Sequence, residues 1–111
     1  MTSGDAERAW LEPWVALAHG RSLEHELRKE VGAGHVLYGR NVRAIARRAD
    51  QDHVLFELDD DVQQLALVHL TWGSKQETDA RWPATVVFNS WSDWLVQMTA
   101  DHQEFEELAQ V

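Results

Sequence analysis

The sequence of 111 residues contains no cysteine, two prolines, two lysines and no long apolar run. Without cysteine there is no disulfide, no thiol nucleophile, no iron–sulfur cluster and no thiolate zinc site. No apolar stretch reaches the roughly 18 residues that a membrane-spanning helix requires. The first residues, Met1-Thr2-Ser3-Gly4-Asp5-Ala6-Glu7, are polar and acidic, unlike the basic and then apolar start of a secretory signal. These absences predict a cytoplasmic protein. Bases are also scarce, ten against nineteen acids, for a formal net charge of −9. General nucleic-acid binding and docking on anionic lipid both depend on Lys and Arg neutralising phosphate, and this balance argues against both. There is no Gly-rich phosphate loop, no HExxH pair, and no GxSxG setting around Ser74, Ser90 or Ser92. No cofactor, no metal and no catalytic class is therefore implied.

What the sequence does contain suffices for a folded domain. Its apolar share of 44% can fill a core, which excludes wholesale disorder. The length suits one domain over residues 1–111. Charge is unevenly placed. Residues 1–49 carry six acids and eight bases, whereas residues 50–111 carry thirteen acids against Lys75 and Arg81 alone. No linker separates the halves, so the split lies on the surface of one domain and is of the kind that steers a charged partner.

Apolar periodicity predicts an α+β chain: N-terminal helices, an antiparallel meander of three to four strands, and a C-terminal helix or helix pair packed on the sheet. Trp10, Trp14 and Leu17 share a helical face over about residues 5–19, with Pro13 interrupting it. Ser22 is placed to cap a helix through Val31 that carries Leu23 and Leu27. Extended runs follow at 41–48, 53–58, 64–72 and 84–88, with turn chemistry at 49–52 and 59–61. Ser90 caps a helix bearing Trp91, Trp94, Leu95 and Met98, and Asp101 caps a final helix with Phe105 and Leu108.

A hairpin turning about Asp50-Gln51 pairs Arg48 with His53. One turning about Asp60-Asp61 pairs Phe56 with Leu65 and sets Asp52 opposite His69. Arg48, Asp52, His53 and His69 then gather at one sheet end, where Trp72, Lys75, Glu77 and Trp82 form the rim of a pocket. A slip of one residue would dissolve the cluster. His69 has two readings: a base or ligand whose tautomer Asp52 fixes, or a sheet-end histidine satisfied by ordinary hydrogen bonds. Asp59-Asp60-Asp61 lacks the order of a calcium loop and reads as a solvated turn. The bases at Arg40, Arg43, Arg47 and Arg48 suit an anion contact or salt bridges to the acidic half. The six tryptophans suit core packing at Trp10, Trp14, Trp91 and Trp94. Trp72 and Trp82 suit packing or a protein interface.

Val68-His69-Leu70-Thr71-Trp72, followed by Lys75, Glu77 and Trp82-Pro83, resembles a small bacterial domain pattern. Ala44-Ile45-Ala46-Arg47-Arg48 with Asp52 and Leu55-Phe56 belongs to the same resemblance, which spans about residues 35–105. It implies a recurring bacterial domain and carries no activity, cofactor or catalytic residue.

The expected function is that of a small acidic binding protein without catalysis, acting on a basic protein partner. Its most specific form is an immunity- or antitoxin-like protein masking a basic toxin. The alternative is a small enzyme or ligand-binding domain with a pocket at His69, Asp52, Trp72 and Lys75. Self-association through a tryptophan or a sheet edge is a third possibility.

Overall fold

The computed structural model describes residues 9–59, 64–73 and 75–109. Its elements are β1 (Trp14–Ala16), α1 (Arg21–Glu30), β2 (Val42–Arg48), β3 (His53–Leu58), β4 (Gln64–His69), β5 (Ala84–Phe88) and α2 (Trp91–Ala109). The five strands lie in sequence order, each antiparallel to its neighbour. The chain is thus α+β, with a meander one strand wider than expected and one helix on each face.

Alternation along the strands feeds two cores. On the α1 face, Leu23 and Leu27 pack with Val42, Ala44, Val54, Phe56, Ala66 and Val68. On the α2 face, Trp94 and Met98 pack with Trp14, Ala46, Leu55 and Leu65. Trp94 meets Trp14 edge to face at 4.8 Å, and Phe88 at 5.5 Å. The Trp94 indole nitrogen has no hydrogen-bond partner among the described residues.

Three expectations are corrected. The first segment is a strand over its last residues, not a helix. Trp14 packs on the α2 face while Leu17 joins the α1 core, so their spacing is not that of one helical face. Short apolar runs satisfy either period, and here Leu17 donates its N–H to the Ile45 carbonyl at 3.0 Å. The last helix is continuous. Asp101 caps nothing, because its side chain is buried in the middle of α2. The cap at Ser90 is as expected, its Oγ accepting the Asp93 N–H at 3.1 Å, whereas Ser22 lies inside α1, which begins at Arg21 behind Gly20 with no side-chain cap.

The third correction concerns register. β3 and β4 pair His53 with His69 and Val54 with Val68, one residue away from the expected alignment. The turn expected at Asp60-Asp61 lies outside the described residues. The first hairpin has the expected alignment beside its turn, with Arg47 opposite Val54. Further along, a bulge at Ile45 shifts it, so that Ala44 faces Phe56 and Ala46 faces Leu55. Ala44 therefore packs on the α1 face and Ala46 on the α2 face. Glu24 on α1 accepts the Ala44 N–H at 3.0 Å, which satisfies a donor at the bulge.

Candidate functional site

The expected pocket divides into two groups on opposite faces of the same sheet end. Arg48, His53 and His69 belong to the α2 face. Trp72, Glu77 and their loop are held from the α1 face.

On the α2 face, Arg48 comes level with His53, which pairs with His69. The two imidazoles lie edge to face, with ring centroids 4.8 Å apart. His53 is half-buried and His69 exposed. Burial pushes the His53 pKa down, and positive charge on His69 and Arg48 pushes it the same way. Arg48 is buried and paired with two carboxylates. Its Nε donates to Asp50 at 2.7 Å, and its guanidinium lies 3.5 Å from Asp101. Asp101 also accepts the Trp14 indole N–H and the Gln97 amide, each at 2.9 Å. This network locks α2 to β1 and β2. Asp52, expected opposite His69, is exposed in the turn, and its place across the sheet is taken by His53. Among the described residues, no group of three or more His, Asp or Glu side chains is placed to hold a metal ion.

On the α1 face, the organising residue is Glu30, which is fully buried at the end of α1. Its carboxylate accepts backbone N–H groups from Thr71 at 2.8 Å and Trp72 at 2.9 Å. Its carbonyl accepts the Glu77 N–H at 2.9 Å. Burial, reinforced by the hydrogen bond that the protonated carboxyl donates to neighbouring Glu26, raises Glu30 to about 6, against the pull of the two amides. Trp72 adopts φ 60°, left-handed backbone that is uncommon outside glycine, and its indole is 50% exposed. Glu77 also receives the Thr71 hydroxyl at 3.4 Å, while Lys75 is exposed.

Trp82, 47% exposed, closes the far end of this loop. The Trp82–Pro83 bond is cis. The Pro83 carbonyl accepts from His35 Nε2 and from the Thr85 hydroxyl, each at 2.9 Å. His35 Nδ1 accepts the Leu37 N–H at 3.0 Å, so this ring ties the 32–38 segment to the start of β5. That segment presents Val36 and Tyr38, 56% and 50% exposed. Between the two indoles, Arg81 hydrogen-bonds Asp79 and holds its carboxyl down to about 2.

Glu26, Glu30 and His35 were not singled out from the sequence, and Asp101 only as a helix cap. A signal existed for three of them. Glu26 and Glu30 fall on the stripe of Leu23 and Leu27, and Asp101 falls on that of Trp94 and Met98, so each is a charge on an apolar face. Unbroken alternation would set Arg43 and Arg47 on one face and Arg48 on the other, but the bulge groups Arg43 with Arg48 and turns Arg47 away. Arg43 pairs with Glu57 on the α2 side, and Arg47 sits opposite Val54 beyond the bulge.

Among the described residues, no helix is long and apolar enough to cross a membrane. Compared with protein-family models, curated proteins and solved structures, the chain matches none.

Proposed function

We propose that this chain is a small acidic binding protein, without catalysis, that docks a basic protein partner through aromatic side chains on two adjoining loops. The observation that carries the reading is the outward display of Trp72 and Trp82 on a backbone pinned from beneath by Glu30 and His35. Indoles held in place before binding lose little freedom on docking, and tryptophan is a frequent anchor of protein interfaces. Val36 and Tyr38 extend the apolar display. The strongly acidic half of the chain supplies long-range attraction for a basic partner. Masking a basic toxin, in the manner of an immunity protein or antitoxin, is the specific form this reading takes.

The test uses purified basic proteins, immobilised as a panel, with the wild-type chain and a Trp72→Ala/Trp82→Ala variant. Salt-sensitive retention of the wild type, lost in the folded double variant, is the expected result. Retention of neither protein at low salt, or equal retention of both, overturns the proposal.

A second reading is favoured by the paired rings of His53 and His69, the one a half-buried base of lowered pKa and the other open to solvent. It makes that sheet end a small-ligand site, acting without Asp52, Trp72 or Lys75. Imidazole NMR shifts that stay still on adding phosphate or zinc would remove it.

A further inference from the structure

The sheet ends in two unequal edges. β1 offers three residues, whereas β5 offers five in unbroken register with β4. Among the described residues, no strand pairs with the outer side of β5. Natural edge strands are commonly guarded by charges, lysine above all, by proline, by a bulge or by shortness, because their free N–H and C=O groups template another strand. Ala84-Thr85-Val86-Val87-Phe88 carries no charge, no proline and no bulge, and Val86 is 54% exposed.

The charge pattern identifies the occupant. All residues from Trp82 to Ser92 are uncharged, in a chain where 26% of residues are charged. A basic foreign strand would therefore meet no acid along this edge. A second copy meets an equally uncharged strand, so the net charge of −9 is kept off the contact line.

We propose that the chain forms a two-fold dimer in which β5 pairs with β5 of a second copy, making one continuous antiparallel sheet. With Val86 on the axis, Ala84 lies opposite Phe88 of the second copy and Thr85 opposite Val87. Such an isologous contact closes on itself and leaves no further edge of this kind to propagate. The proposal stands independently of the basic partner, because it uses the strand edge rather than the loop indoles.

Light scattering across micromolar to millimolar concentration tests it. The expected mass rises from 12.7 kDa to twice that value. Val86→Lys sets two lysines side by side on the axis and holds the protein at the monomer mass, while Val86→Thr still dimerises. Leu95→Lys, on the outer side of α2, leaves dimerisation intact. Amide exchange in residues 84–88 slows with concentration in the wild type. A monomer at every concentration, or a dimer that Val86→Lys leaves whole, overturns the proposal. Should Val86→Lys fail to fold, exchange in β5 that ignores concentration overturns it equally. So does β5 protection that appears only on adding a basic peptide.

Discussion

The indole of Trp14 donates to the carboxylate of Asp101 across 87 positions of chain, at 2.9 Å in a buried setting. The same carboxylate faces Arg48, so one acid joins the start of the sheet, its second strand and the covering helix. Asp101→Ala leaves a buried guanidinium and an indole N–H without this acceptor, which predicts a loss of about 3 kcal/mol. Asp101→Asn keeps an acceptor for Trp14 and loses less. Urea unfolding of the two variants checks the order.

Glu30 predicts an unusual pH dependence. Its folded pKa of about 6 exceeds the ordinary 4.5, so the folded chain binds its proton more tightly than the unfolded chain. Its contribution to stability is complete below pH 4.5 and lost as pH rises through 6, by about 2 kcal/mol. Glu30→Gln removes the titration. The difference in unfolding free energy between wild type and variant, followed from pH 4 to 8, moves against the wild type as pH rises.

His53 works in the opposite sense. Its folded pKa lies below the ordinary 6.5, so stability is lost as pH falls through that region. His69→Gln removes a neighbouring charge and raises the His53 pKa, though burial keeps it depressed. Titration of the imidazole by NMR reads the shift, and an unmoved or falling value would show that the two rings do not interact electrostatically.

Ser90→Ala removes the side-chain acceptor for Asp93 N–H at the start of α2. A cost of about 1 kcal/mol is expected. Because Trp94 follows within the first turn and fills the α2-face core, near-ultraviolet circular dichroism should lose intensity at lower urea than in the wild type.

The meander was legible in the sequence because β3, β4 and β5 are compact apolar runs bounded by turn residues. α1 was legible from its stripe of Leu23 and Leu27. Trp10, Trp14 and Leu17 misled because a short strand with a residue on each face satisfies a helical spacing as well. The candidate site was half legible. Arg48, His53 and His69 do come together at one sheet end, through a register one residue away from the expected one. Alternation placed Trp72 on the face opposite His69, with Val68 and Leu70, and the structure holds it there; the segment after it, expected as a rim over the histidines, is instead held from that same α1 face. Its path is fixed by the Glu30 carboxylate, 41 positions before Thr71, and no local pattern encodes a contact of that range.

The bulge at Ile45 makes β2 unequally sensitive to length along its course. With Ile45 deleted, strict alternation still sends Ala44 to the α1 face and Ala46 and Arg48 to the α2 face, opposite the same partners, and the loss is that of a buried side chain. Deleting Arg47 instead would carry Arg48 to the α1 face, and the guanidinium would leave Asp101. Along this strand a one-residue deletion acts as a frameshift in facing everywhere but at the bulge, and tolerance to substitution says nothing about tolerance to it.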